Sequence, residues 1–137
     1  MLVSGVMPSY NNQRYVAEAM ASVYAQTYRP IEFVIIDDGS TDGSSEVIRR
    51  VVAETPAPSG ITARADMREN RGAHATINEG VALARGRYVA VINSDDAYTP
   101  DRIDRCIAAA KQQGSRLVFT YVEPIDKTPA STTNLFD

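Results

Sequence analysis

The stretch "IEFVIIDDGSTD", residues 31–42, joins an apolar run to a polar turn and to the start of a helix. An apolar run of this length is typical of a strand that is buried on both faces of a parallel sheet. Asp37 and Asp38 close the run, and the side chain of Thr41 or Asp42 can cap the helix that follows. The stretch therefore predicts one strand–turn–helix unit of an α/β fold.

The rest of the chain repeats this unit. Apolar runs predict strands over residues 2–7, 31–36, 87–92 and 117–122, and a weaker pattern predicts one over residues 61–65. Helical spacing of apolar residues predicts helices over residues 15–26, around 47–52, over 73–84 and after Pro100. In the third helix, Ile77, Val81 and Ala84 form the predicted inward face. The alternation predicts a Rossmann-like α/β domain with a mostly parallel sheet and helices on both faces.

The composition fits one ordinary globular domain. The 137 residues are 44% hydrophobic and 23% charged, with a formal net charge of -3. A negative chain without a basic cluster argues against a nucleic-acid partner. Residues 1–123 are the predicted domain. Residues 124–137, rich in Pro, Thr, Ser and Asn, are predicted to form an irregular tail.

The predicted compartment is the cytoplasm. The single cysteine, Cys106, excludes an internal disulfide and suits a reducing environment. No apolar stretch approaches the roughly 20 residues of a membrane span, and the first residues do not resemble a secretion signal. Peripheral attachment to the inner face of the membrane, through a segment outside these residues, is left open.

Polar clusters follow three of the predicted strands. Residues 9–12 follow the first strand, residues 37–38 the second and residues 93–96 the fourth. Ligands of open parallel sheets bind beyond the carboxyl ends of the strands. We therefore expect the three clusters to share one crevice.

The acids in these clusters have two interpretations. The repulsion between Asp95 and Asp96 is relieved if a divalent cation or a sugar hydroxyl binds there, because Mg²⁺ and Mn²⁺ prefer oxygen ligands. Alternatively, both acids cap the helix that begins near Pro100. Asp38 can likewise accept a hydrogen bond from a nucleobase imide, or it can serve turn geometry alone, which its spacing favours.

Two long segments resemble family 2 glycosyltransferases, which are inverting enzymes with a GT-A fold. They are "VSGVMPSYNNQRYVAEAMASVYAQTYRPIEFVIIDDGSTDGS", residues 3–44, and "NRGAHATINEGVALARGRYVAVINSDDAYTPDRI", residues 70–103. The resemblance extends over residues 3–122 and corresponds to the N-terminal, nucleotide-sugar-binding part of these enzymes. Its motifs occur in the family's order and spacing.

The resemblance implies residues that hold the base. Pro8, Ser9 and Tyr10 match the loop that holds uracil or another base, with the tyrosine ring stacked on it. Asp38 matches the acid that accepts a hydrogen bond from the base. Arg71 lies in the segment where related enzymes place an arginine near the base.

The resemblance also implies a metal site that takes Mn²⁺ or Mg²⁺. Asp95 and Asp96 match the acids near the ribose and the metal-bridged diphosphate, with Asp96 the favoured metal ligand and Asp95 the ribose or second metal contact. Many family members carry an aspartate where this chain has Asn93. Asparagine keeps an oxygen acceptor but loses the charge, which weakens attraction for a cation.

The function that the resemblance implies is transfer of a sugar from a nucleoside diphosphate, in the first place UDP, to an acceptor hydroxyl with inversion. The acceptor is expected to be a saccharide or a lipid-linked saccharide of cell-envelope polysaccharide synthesis. Inversion needs a carboxylate base. No residue matches a base motif, and the base is expected beyond Asp137. The alternative is a nucleotide-binding fragment without turnover.

Overall fold

A computed structural model describes residues 1–125 of the chain. Within them, strands and helices alternate: β1 (Val3–Ser9), α1 (Val16–Tyr24), β2 (Ile31–Asp38), α2 (Ser44–Glu54), β3 (Ile61–Arg68), α3 (Ala73–Leu83), β4 (Tyr88–Val91) and α4 (Arg102–Gln113). The chain divides into two compact units, Met1–Arg105 and a second that begins at Cys106. In this part of the chain no helix has the length and apolar composition required to span a bilayer. The tail predicted over 124–137 lies, from residue 126 onward, outside the described residues.

The four strands form one parallel sheet in the order β3-β2-β1-β4. This arrangement confirms the predicted α/β class. Every residue of β2 is buried, because β2 lies between β1 and β3 and its side chains are covered on both faces. That double burial explains why its sequence lacks the polar–apolar alternation of a half-exposed strand.

Helices cover both faces of the sheet. A Cβ at Gly5 of β1 would lie 3.8 Å from the side chain of Val23 in α1. The next residue, Val6, contacts Gly80 of α3. Because successive residues of a strand point to opposite faces, α1 and α3 pack on opposite sides of β1. Helix α2 packs beside α1 and against β3.

The inward face of α3 differs from the prediction. Val81 is 43% exposed, whereas Thr76 is fully buried and Gly80 also faces the sheet. Leu83 and Ala84 pack against the core formed by Val6, Val34 and Ile36. The spacing of apolar residues failed here because a glycine and a threonine occupy the closest approach between helix and strand.

Substituting Gly80 with alanine should destabilise the domain. The added Cβ would lie 2.4 Å from Cγ1 of Val6, and overpacking of this kind costs roughly 1–3 kcal/mol. We expect urea denaturation to show a lower free energy of unfolding for Gly80→Ala. In a Val6→Ala background the same change should become stabilising by up to about 1 kcal/mol, because alanine is the better helix former. An equal effect in both backgrounds would refute the close contact as the cause.

The fifth strand predicted over residues 117–122 is wrong. These residues are irregular, with Leu117, Phe119 and Tyr121 exposed by 69%, 85% and 87%. A strand needs a neighbouring backbone to satisfy its amide and carbonyl groups. Among residues 1–125 no segment pairs with this one, so its high β propensity is not realised.

The buried carboxylate of Glu32 links β1 and β2 near their amino-terminal ends. Glu32 of β2 is 5% exposed and accepts hydrogen bonds from Ser4 of β1 and from the backbone and side chain of Arg85. The hydroxyl of Ser4 also accepts the amide of Gly86, at 2.8 Å. These contacts join β1, β2 and the turn before β4. Burial raises the pKa of Glu32, but the donors from Ser4 and Arg85 outweigh it, so the net pKa is below its usual value.

Candidate functional site

A cleft of about 440 Å³ opens at the carboxyl ends of β1, β2 and β4. Five residues predicted for the site line it: Pro8, Ser9, Tyr10, Asp38 and Asp95. Seven others complete its wall: Asn12, Asn70, Gly72, Ala73, Thr76, Asn93 and Ser94. The three polar clusters therefore do converge, at the edge of the sheet where α/β folds bind ligands.

Two predicted site residues do not line the cleft. Arg71 acts through its backbone N–H, which donates to Oδ1 of Asp38 at 2.7 Å. Asp96 has an exposed side chain whose Oδ2 accepts from Nδ2 of Asn93 at 3.1 Å. Asp95, next to it, is also exposed and does line the cleft. Of the pair Asp95 and Asp96, Asp95 is therefore the acid that faces the cleft.

Asp37 and Asp38, the last two residues of β2, bind different partners because their side chains point to opposite faces of the sheet. Asp37 accepts hydrogen bonds from the amide and hydroxyl of Ser40, at 3.0 and 2.6 Å, and so closes the turn. Asp38 points to the side of α3. It accepts hydrogen bonds from the amides of Arg71 and Gly72, at 2.7 and 3.0 Å. These bonds hold the turn before α3 at the cleft.

Arg68 was missed in the sequence and is central to this arrangement. It is the last residue of β3 and lies opposite Asp38 in the strand register. Its guanidinium bonds Oδ1 of Asp38 and Oε2 of Glu79, each at 2.5 Å, with its side chain only 12% exposed. Nη2 also donates to the hydroxyl of Thr76 at 2.8 Å. The prediction ended this strand at residue 65; a polar residue at the true strand end is the signal that would have found it.

The charge of Asp38 is maintained by these donors. Burial acts to raise its pKa, but the amide of Arg71 and the guanidinium of Arg68 lower it by more, so the net pKa is below the ordinary aspartate value. Hydrogen bonds to the charged form are the usual reason for such a depression. Asp38 is therefore ionised at neutral pH despite being only 3% exposed.

Asparagines of the β1–α1 loop connect the walls of the cleft. Asn11 has a left-handed backbone (φ 51°), and its Oδ1 accepts the amide of Thr41 at 2.8 Å. The amide of Asn12 donates to the hydroxyl of Ser44 at 2.9 Å, and its side chain donates to the hydroxyl of Ser94 at 2.7 Å. Asn12 thus joins the loops that follow β1, β2 and β4.

Gln26 anchors the segment that follows the acid pair. It is 1% exposed, at the end of α1. Its Nε2 donates to the carbonyl of Thr99 at 2.7 Å, and its Oε1 accepts the amide of Ile103 at 3.0 Å. It therefore satisfies one of the free N–H groups of the first turn of α4. No motif or spacing in the sequence indicated this role for Gln26.

Ser9 carries an unsatisfied hydroxyl. Its side chain is 1% exposed, and its Oγ is the one buried side-chain polar atom among residues 1–125 without a hydrogen-bond partner. Buried polar atoms nearly always have a partner. Ser9 lies opposite Asp37 in the strand register, so its side chain points to the face of the sheet away from Asp38.

The acids at the end of β4 suit a metal that arrives with its ligand. Among the described residues no group of three or more His, Cys, Asp or Glu side chains could hold a metal ion. Mg²⁺ and Mn²⁺ are nevertheless often held by one or two carboxylates together with substrate phosphates. Asp95 and Asp96 are both exposed, so their oxygens are accessible, and the donor set fits this kind of site.

A second depression of about 530 Å³ is lined by residues 11–15 and Asp42. Its polar groups are largely engaged with each other: the amide of Gln13 donates to Oδ2 of Asp42, and Oε1 of Gln13 accepts the amide of Gly43. Fewer groups remain to bind a ligand there. The first cleft is therefore the better candidate site.

Acid should destabilise the fold. The folded-state pKa values of Glu32, Asp38 and Asp42 all lie below their ordinary values of 4.5, 3.8 and 3.8. A depressed pKa stabilises the fold above the unfolded-state value, and this contribution is lost as the pH falls through the folded-state value. The free energy of unfolding in urea should fall below about pH 4, by up to 1.4 kcal/mol per pH unit for each proton taken up by the buried Glu32 and Asp38, and the exposed Asp42 should contribute less.

The variant Glu32→Gln is the control for this acid sensitivity. Its free energy of unfolding should be lower at pH 7, and it should change less between pH 5 and pH 3 than that of the native chain. A native curve that stays flat or rises over that range would contradict the assignment.

The sequence matches the model of one protein family, described as Glycosyl transferase family 2, over residues 4–133. An uncharacterised glycosyltransferase of Nostoc is 35% identical over 126 residues, which are 92% of this chain and 38% of that protein. The succinoglycan biosynthesis protein ExoO of Rhizobium meliloti is 35% identical over 115 residues, which are 84% of this chain and 31% of ExoO. The chain thus spans about a third of the length of these relatives.

Solved structures share the fold. Staphylococcus aureus TarS in complex with UDP-GlcNAc superposes with a TM-score of 0.71 at 22% identity, over 83% of this chain and 32% of that one. The mannosyltransferase PcManGT of Pyrobaculum calidifontis, in complex with GDP-Man and Mn²⁺, superposes with a TM-score of 0.69 at 25% identity, over 79% of this chain and 32% of that one. Both likenesses support a GT-A architecture.

Proposed function

The chain belongs to glycosyltransferase family 2, and on that premise we propose that its cleft binds a nucleoside-diphosphate sugar, in the first place a UDP-sugar, for transfer to an acceptor hydroxyl with inversion. One observation carries this proposal: an exposed tyrosine, a buried ionised aspartate and an exposed aspartate meet in one cleft at the carboxyl ends of three parallel strands. The tyrosine suits the ring of the nucleobase, the buried aspartate suits its imide N–H, and the exposed aspartate suits the metal-bound phosphates.

The base occupies the side of the cleft formed by β1 and β2. Tyr10 is 48% exposed, which leaves its ring free to stack on a base. Asp38 accepts a hydrogen bond from the base, and Pro8 and Ser9 line the cleft beside it. Arg71 contributes by holding Asp38 through its backbone N–H.

The diphosphate occupies the side formed by β4. Asp95 and Asp96 hold Mn²⁺ or Mg²⁺ together with the phosphates, and Asp95 is also within reach of the ribose. When bound, the ion neutralises the charge that develops on the departing diphosphate. Asn93 supplies no charge, so we expect the acid pair to bind metal weakly until the nucleotide adds its phosphates.

Inversion requires a single displacement. The acceptor oxygen forms a bond to the anomeric carbon as the bond to the diphosphate oxygen breaks, and the proton of the acceptor hydroxyl passes to a carboxylate base. None of the described residues is assigned this role, and we place the base in a part of the enzyme beyond Asp137. What these residues contribute is binding and orientation of the donor.

The proposed acceptor is a saccharide or a lipid-linked saccharide, and the proposed setting is cell-envelope polysaccharide synthesis in the cytoplasm, at the inner face of the membrane. The relative ExoO, named for succinoglycan biosynthesis, supports the polysaccharide setting. A second proposal is nucleotide binding without transfer, favoured by the absence of an assigned base among residues 1–125.

Calorimetric titration with UDP, with and without Mn²⁺, tests the proposed function. We expect binding that strengthens when Mn²⁺ is present. A transfer and hydrolysis assay with UDP-sugars then separates the two proposals, because binding without any turnover would favour the second. Absence of binding by both UDP and GDP at millimolar concentration with Mn²⁺ would refute the nucleotide site.

A further inference from the structure

We infer that Arg68 makes this cleft selective for uracil over guanine by filling an acceptor position on Asp38 that guanine would need. The inference rests on the proposed function, in which Asp38 accepts from the base. It adds a residue outside the predicted site and a reason for the choice of nucleotide.

The oxygens of Asp38 are unequally occupied. Oδ1 accepts from Nη1 of Arg68 at 2.5 Å and from the amide of Arg71 at 2.7 Å. A carboxylate oxygen has two acceptor positions, so Oδ1 is full. Oδ2 accepts from the amide of Gly72 at 3.0 Å. The hydroxyl of Thr76 lies within hydrogen-bond reach of both Asp38 and the carbonyl of Gly72, the latter at 2.8 Å. When its single hydrogen is on the Gly72 carbonyl, one position on Oδ2 remains for a ligand.

This pattern matches the imide edge of uracil. Uracil presents one N–H between two carbonyl oxygens, so a single acceptor satisfies it. Guanine presents two adjacent N–H donors, and a carboxylate accepts both only when each oxygen has a free position. Bound here, guanine would leave one donor unpaired.

Arg68 is the side chain that creates the imbalance. The amides of Arg71 and Gly72, which also donate to Asp38, belong to the backbone, so most substitutions leave them in place. The guanidinium cannot swing away, because Glu79 and Thr76 hold its remaining nitrogens and its side chain is only 12% exposed. Substituting Arg68 therefore frees a position on Oδ1 without removing Asp38 from the cleft.

The first test uses the native protein and three nucleotides with Mn²⁺: UDP, GDP and IDP. Inosine keeps the purine ring and the N1–H of guanine but lacks the second donor, so it separates donor count from base size. We expect IDP to bind at least about fivefold more tightly than GDP, because an unpaired buried donor carries a penalty of that order. UDP should bind more tightly than GDP by at least the same factor.

The second test uses Arg68→Met, with Arg64→Met as the matched control. Arg64 lies on the same strand in an ion pair with Asp66, and its side chain is 53% exposed. The preference for IDP over GDP should disappear in Arg68→Met and persist in Arg64→Met. If Arg68→Met does not fold, the ratio for the native protein decides the question.

Each outcome has one meaning. Equal affinities for IDP and GDP in the native protein would overturn the inference and leave the proposed function intact. Binding of UDP with no binding of either purine would also overturn it, since base size would then be the cause. An unchanged ratio in folded Arg68→Met would remove Arg68 from the explanation. If none of the three nucleotides binds, the proposed function itself fails.

Discussion

Asp38→Ala is expected to abolish measurable nucleotide binding and to lower the free energy of unfolding by about 3 kcal/mol. The carboxylate ties the end of β2 to Arg68 and to the amides of Arg71 and Gly72. Breaking a buried ion pair from one side costs about 3–5 kcal/mol. The lower end of this range applies because Glu79 still pairs with the guanidinium of Arg68 in the variant.

The matched control for Asp38→Ala is Asp66→Ala. Asp66 pairs with Arg64 on β3, but both side chains are substantially exposed, at 40% and 53%. Exposed pairs contribute less than about 1 kcal/mol. Urea denaturation and titration with UDP measure both effects. An Asp38→Ala variant of native stability that still binds UDP would show that Asp38 neither braces the loop nor touches the ligand.

Substituting both Asp95 and Asp96 with alanine is expected to remove the dependence of UDP affinity on Mn²⁺. The two carboxylates are the exposed acids at the phosphate end of the cleft. We expect the increase in affinity that Mn²⁺ brings, about tenfold or more for an interaction of at least 1.4 kcal/mol, to vanish. UDP affinity without metal should change little.

The double variant should remain folded, because the side chains of both acids are exposed. Thermal unfolding is the control for this point. The single variants then assign the roles: Asp95 lines the cleft, whereas Asp96 bonds Asn93, so Asp95→Ala should cause the larger loss. A double variant that responds to Mn²⁺ as the native chain does would exclude the acid pair as the metal site.

The sheet was predictable because its signal is local. Strands β1, β2 and β4 are largely apolar runs followed by polar residues, and the parallel arrangement follows from the helices between the strands. The fifth run, over residues 117–122, has the same local signal. Strand formation also requires a neighbour, which local sequence does not reveal.

The site was predictable only in part. Tyr10, Asp38 and Asp95 follow strand ends, so general topology brings them together. Arg68 and Gln26 act through partners 30 and 77 residues distant in the chain. No spacing rule links such positions. The different hydrogen-bond partners of Asp37 and Asp38 likewise depend on the face of the sheet to which each side chain points.

Asn12 has a consequence for the order in which the molecule is assembled. Its bond to Ser94 spans 82 residues, and its bond to Ser44 joins a third loop at the same point. Closing so long a loop has an entropic cost, so we expect these contacts to form only after the intervening strands have docked. The cleft is then complete only when the whole fold is. A nucleotide that selects this state at one hundred times its dissociation constant would contribute about 2.7 kcal/mol to the stability of the whole domain.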